Sequence, residues 1–210
     1  MAMSYGGSNW TPIGPAISAG RSRKPSIAIN RDTTYVAYID IPSGKYPFVK
    51  KFNGTSWVAA GNTASGQVRA SACTFISLAF DNANQPYVAF DDGTQGGKVT
   101  VEYCKNGVWT VLGSPGFNTS GGGSTASFIS MAIYRNHVYV AFVDAGQGNQ
   151  IILWEYNGSW SQVNGGVGLV SNGPAAYTSI AVDSSETIYV AFQYHITCYA
   201  LFFRHRGFRR

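Results

Sequence analysis

A unit of about fifty residues is written along this chain four times, and nothing else in the sequence constrains the fold as tightly. Ser26-Ile27-Ala28-Ile29, Ser77-Leu78-Ala79-Phe80, Ser130-Met131-Ala132-Ile133 and Ser179-Ile180-Ala181-Val182 form one series. A short polar turn follows each. A second series comes next: Tyr35-Val36-Ala37-Tyr38, Tyr87-Val88-Ala89-Phe90, Tyr139-Val140-Ala141-Phe142 and Tyr189-Val190-Ala191-Phe192. These segments are too short and too rich in β-branched and aromatic residues to be helices.

A third strand is predicted at 48–52, 99–103 and 151–156, each ending on Asn-Gly: Asn53-Gly54, Asn106-Gly107 and Asn157-Gly158. Asn-Gly accommodates the positive φ of a type I′ turn, so a hairpin follows. The fourth strand then opens on Trp57, Trp109 or Trp160. Each unit therefore reads as an antiparallel meander of four short strands, A to D. Half-wetted sheets alternate apolar and polar residues, whereas Tyr-Val-Ala-Phe and Ile-Ile-Leu-Trp are apolar on both faces. Both faces must be covered, as they are when blades stack around an axis.

The expected fold is all-β: a β-propeller of four four-stranded antiparallel blades forming a single domain over 1–210. The blades span approximately 26–61, 77–113, 130–164 and 179–208, the last completed by 5–13. That closure rests on the alignment of 5–10 with 52–57, and on a fourth copy with A, B and a C strand over 197–203 but no Trp. Pairing the two would cover an exposed edge. Because the termini complement one another a monomer is expected. Two chains forming an eight-bladed ring, and a β-sandwich, are the alternatives.

The formal charge of +5 is concentrated in two clusters. Arg21, Arg23 and Lys24 lie near the start, and Arg204, Arg206, Arg209 and Arg210 near the end; without these seven, eight basic groups face ten acidic ones. Nucleic-acid binders carry a basic stripe on a folded face, so no nucleic-acid partner is expected. No apolar run is long enough to span a membrane, and 1–7 lacks a signal peptide's apolar segment. The expectation is a soluble chain with no membrane partner, cytoplasmic as written or a fragment of a secreted protein. Cys73, Cys104 and Cys198 are odd in number and lack CxxC spacing, so neither a disulfide framework nor a zinc site is expected. No metal and no cofactor are expected.

The run from Ser-Ile-Ala through Tyr-Val-Ala-Phe and Asn-Gly to Trp resembles the blades of bacterial β-propeller repeat proteins over nearly the whole chain. It lacks the landmarks of WD40, kelch and Asp-box repeats. Some small propellers of similar size are lectins with one sugar site per blade. The resemblance therefore implies a non-catalytic binding module that recognises carbohydrate through its top-face B–C and D–A loops. The alternatives are a protein-interaction or structural propeller and, more distantly, a glycoside hydrolase; the partner is a glycan or a protein.

The loops that share the upper rim repeat chemically. Asp40, Asp92 and Asp144 end the B strands, Lys98 and Gln150 stand in the loops that follow, and Phe75, Phe128 and Tyr177 precede the A-strand serines, with Lys24 in the first copy. Carboxylates beside flat apolar rings suit a sugar, which needs acceptors for its hydroxyls and a face for its C–H groups. Each residue also has a structural reading. An Asp after a strand caps its own turn, and the aromatics fit between blades. The fourth copy breaks the pattern with Tyr194 and His195. The carboxylates recur symmetrically and His137, His195 and His205 occupy unrelated positions, so no catalytic dyad or triad is predicted.

Overall fold

The computed structural model describes residues 1–119, 124–163, 169–194 and 200–206. His195, Cys198, Arg209 and Arg210 lie outside them. The chain is an all-β propeller. A hairpin, β1 (Met3–Tyr5) and β2 (Trp10–Pro12), precedes the blades. The first blade is β3 (Ser22–Asn30), β4 (Thr33–Asp40), β5 (Tyr46–Phe52) and β6 (Trp57–Ala59). The second is β7 (Ile76–Phe80), β8 (Pro86–Asp92), β9 (Lys98–Lys105) and β10 (Val108–Val111). The third is β11 (Ala126–Tyr134), β12 (His137–Asp144), β13 (Gln150–Tyr156) and β14 (Trp160–Gln162). The fourth is β15 (Ala175–Val182), β16 (Thr187–Tyr194) and β17 (Ala200–Arg206). Each blade is an antiparallel meander in chain order.

The core lies between the blades. Ala37, Ile39 and Val49 of the first meet Leu78, Val88 and Phe90 of the second. The other face of the second, with Ala89, Val99 and Val101, meets Met131, Val140 and Ile152 of the third. Tyr139, Ala141 and Leu153 in turn face Ile180, Val190 and Phe192. Double-sided burial is what the unbroken apolar strands require, and a ring such as Phe90 or Phe142, fully enclosed, contributes roughly 1.5–3 kcal/mol. Cys73 and Cys104 are buried free thiols in this packing. The inner strands are also stitched directly. Ser26 Oγ accepts from Leu78 N at 3.1 Å, Ser77 Oγ from Met131 N at 3.1 Å, and Ser130 Oγ from Ile180 N at 3.2 Å. The repeated serine is thus the device that spaces one blade from the next.

Turn chemistry differs from expectation in one respect. Of the three Asn-Gly turns, only Asn106-Gly107 has both residues at positive φ, 52° and 82°. At Asn53 the side chain instead accepts from Thr55 N and Ser56 N, closing a longer loop. Two-residue turns with paired positive φ occur between A and B strands, at Arg31-Asp32 and Arg135-Asn136.

The N-terminal segment also differs. Met3–Tyr5 pairs with Trp10–Pro12 as a separate two-stranded sheet, and the expected pairing with the last blade is not among the described strand pairs. The hairpin sits on the first blade instead. Ala2 and Ile17 are buried against Val36, Tyr38, Phe48 and Trp57, and Trp57 Nε1 donates to Ile13 O at 3.0 Å. In the fourth blade the strand expected over 197–203 is Ala200–Arg206, paired with Thr187–Gln193. Among the described residues no helix is long and apolar enough to cross a membrane.

Candidate functional site

The upper rim gathers the residues singled out in the sequence. Phe75 and Phe128 lie 5.0 Å apart between ring centroids, Phe128 and Tyr177 4.7 Å, and Lys24 Nζ stands 5.0 Å over Phe75. One residue from each blade thus forms a continuous row. Lys24, Phe128 and Tyr177 adopt positive φ, within A-strand bulges that turn them out of the ladder. Phe75 is held differently: its N–H and that of Thr74 donate to Asp91. Burial raises the Asp91 carboxyl above its ordinary range against those bonds.

The aspartates of this rim are turned into the protein. Asp40 accepts from Ser43 N at 3.0 Å, and Asp144 accepts from Gly146 N at 2.9 Å and from Asn118 Nδ2 at 3.4 Å. Asp92 caps the single turn Gly93–Gln95 through Thr94 N. It also accepts from Ser71 Oγ and Thr100 Oγ1 and lies 3.3 Å from Arg69 Nε. Burial would raise its pKa, but the Ser71, Thr94 and Thr100 hydroxyls and the Arg69 charge outweigh it, so Asp92 titrates below its usual value. Arg69 also meets Glu102, whose carboxyl burial raises. Asp92 and Asp144 are wholly buried, and each anchors the preceding D–A loop to its own turn. Lys98 is half-buried, and Gln150 Nε2 donates to Ser171 O. The rim therefore offers rings to solvent, while the carboxylates of Asp92 and Asp144 do not reach it.

Carboxylates meet partly exposed on the opposite rim, between the third and fourth blades. His137 Nδ1 lies 2.6 Å from Glu155 Oε1 and 3.4 Å from Glu186 Oε1. Tyr139 Oη donates to Glu186 at 3.1 Å and stands 3.4 Å from the same nitrogen. His137 and Tyr139 share a face of β12 because they are two residues apart, and Glu155 is the cross-strand partner of Tyr139. Glu186 arrives from the next blade on the turn 183–187. Asp183 fixes that turn by accepting from Ser185 N and Thr187 N, and Tyr134 Oη ties it to the third blade through Ser184 O. Burial first, and then the Glu155 and Glu186 charges, push the Tyr139 phenol far above its usual range, so it remains a donor.

All three polar partners depart from the repeat. The position of Glu155 is Lys51 in the first blade and Tyr103 in the second, each opposite the repeated Tyr. His137 stands where the other copies have Thr33, Gln85 and Thr187. Glu186 occupies a turn position filled by Asp32, Asn84 and Asn136, and all four have positive φ, from 62° to 69°. Asp and Asn tolerate that conformation better than Glu. Symmetric reading of the carboxylates passes over this cluster; reading the departures position by position finds it. Among the described residues no group of three or more His, Cys, Asp or Glu side chains has metal-holding geometry.

No protein-family profile matches the sequence, and no curated protein matches it either. Its fold is shared by solved structures of low identity. AofleA from Arthrobotrys oligospora is 13% identical, with a TM-score of 0.55 over 87% of this chain and 53% of that one. An endo-1,4-β-xylanase from Bacteroides thetaiotaomicron is 13% identical, with a TM-score of 0.53 over 87% of this chain and 71% of its own. 1,3Gal43A, an exo-β-1,3-galactanase from Clostridium thermocellum, is 9% identical, with a TM-score of 0.53 over 80% of this chain and 41% of its own. The chain thus spans about half the length of AofleA and less of the galactanase. These likenesses correct the expectation of a non-catalytic, lectin-like module. Its fold is also that of glycoside-cleaving enzymes, so a non-catalytic role does not follow from the architecture.

Proposed function

We propose that this chain hydrolyses glycosidic bonds of a β-linked polysaccharide at the Glu155–His137–Glu186 cluster. The observation that supports this reading most strongly is the convergence of two partly exposed carboxylates on one imidazole nitrogen, at a junction where three residues leave the repeat. Contact with a shared nitrogen keeps the nearest carboxylate oxygens within about 6 Å, compatible with the short separation of a nucleophile and acid pair. Glu155, whose Oε1 stands 2.6 Å from His137 Nδ1, gives a proton to the leaving oxygen as the bond from anomeric carbon to oxygen breaks. Glu186, which accepts a hydrogen bond from the Tyr139 hydroxyl, attacks that carbon as the nucleophile. Water then cleaves the ester, returning its proton to Glu155. The glycan is the partner in this reading, and the enzymes that share the fold suggest xylan or galactan backbones.

The test is the release of new reducing ends from β-1,4-xylan, β-1,3-galactan and a panel of other β-glycans by the 210-residue chain. Release from at least one polymer, with the anomeric configuration retained in the first product, is expected. No release from any of them would overturn the proposal.

A further inference from the structure

The blade-to-blade devices run in one direction along the chain and leave two complementary ends. At every internal junction an A-strand serine accepts from the residue after the next copy's serine: Ser26 from Leu78, Ser77 from Met131, Ser130 from Ile180. The next acceptor in the series is Ser179, which is exposed. The corresponding donor at the other end is Ile27, whose side chain is 58% exposed, with Ile29 beside it at 71%. Large apolar side chains grouped on a sheet face mark an interaction surface.

The N-terminal hairpin shows what belongs there. Ile13 N donates to Ala2 O as Leu112 N does to Val101 O in the second blade. Trp57 Nε1 donates to Ile13 O as Trp160 Nε1 does to Leu112 O. β1 and β2 therefore stand as the C and D strands, the outer half, of a blade preceding the first. Its inner half is a groove of about 580 Å³ lined by Ala2, Ile17, Pro25, Ile27, Val36 and Tyr38. The fourth blade offers the matching half. The outward face of β15 and β16, with Ser179, Ala181, Tyr189 and Ala191, corresponds to the first-blade face that covers the second through Ala28, Tyr35 and Ala37.

We propose that the groove is filled by β15 and β16 of a second copy of this chain, reciprocally, so that two chains close one eight-bladed ring. The chain's own fourth blade does not fill it, because Ile27 and Ile29 at one end and Tyr177 and Ser179 at the other are all exposed. Head-to-tail contacts of this kind close into a ring when the rotation per copy allows. β17 lies on the edge of β16 that β1 of the partner takes, so the exchange of one strand for the other is the rearrangement required.

Light scattering on the 210-residue chain at micromolar concentration should return twice 22.5 kDa. A mass of 22.5 kDa overturns the proposal. An independent readout pairs Ile27→Cys with Ser179→Cys, the two positions that become neighbours. Oxidation should give a covalent species of twice the chain mass on a non-reducing gel. A fast-migrating single-chain band would show that the chain closes on itself, and absence of any cross-link would show that the faces do not meet; either result overturns it.

Discussion

At the scale of single residues, carboxylates stand in different surroundings on the two rims. Asp92 and Asp144 were singled out because they repeat, and repetition turned out to accompany burial: each carboxylate is consumed by hydrogen bonds within the protein. Asp92→Asn should therefore lower stability by about 1–3 kcal/mol at pH 7, since it leaves buried donors and Arg69 without their partner. Because the folded pKa of Asp92 is depressed, its contribution is fully present above the unfolded value of about 3.9 and is lost as pH falls through the folded one. The difference between wild type and Asp92→Asn, measured by urea unfolding, should accordingly shrink below pH 4. Glu155, His137 and Glu186 are the opposite case. They were passed over because they do not repeat, and their departures from the repeat are what bring them together. A single Glu at a left-handed turn position is a visible signal, but only once the four copies are aligned and the conformation of that position is known.

At the scale of elements, the hydrophobic pattern was sufficient for strand number and order in the first three blades, because apolar residues on both faces admit few arrangements other than stacked sheets. Turn types were less legible. Asn-Gly is compatible with a two-residue turn and with a loop in which the Asn side chain caps the backbone, and the local sequence does not separate them: Asn53 and Asn106 chose differently. The Asn106-Gly107 turn has a second task, since Asn62 N donates to Gly107 O and ties the preceding D–A connection to it. A Cβ at 107 would fall 1.9 Å from Asn62 Oδ1 in a residue with φ of 82°. Gly107→Ala should thus cost about 1–2 kcal/mol for the backbone alone, with more from displacing Asn62, read as a lowered denaturation midpoint. The corresponding change at Gly158, where a Cβ meets nothing within 4 Å, should cost less.

At the scale of the whole molecule, a directional chain of serine contacts and interblade cores makes each blade depend on its neighbours, as in other repeat architectures. Alignment of 5–10 with 52–57 likens the N-terminus to the outer part of a blade. It could not reveal that Met3–Tyr5 and Trp10–Pro12 pair with each other and seat on the first blade, because that depends on packing by Ala2, Ile13 and Ile17. Function was the least legible level, since the proposed site lies at one junction where the repeat is broken and the fold itself serves more than one activity. The most direct measurement on that junction is the turnover and the melting midpoint of Glu186→Asn, which restores the residue type of the other blades. Removing a side chain that acts in the chemistry should lower kcat about 100-fold or more, while relief of the left-handed strain leaves the midpoint unchanged or raised. Turnover equal to wild type, or a loss matched by a falling midpoint, would contradict a catalytic role for Glu186 and reduce the cluster to a clasp between two blades.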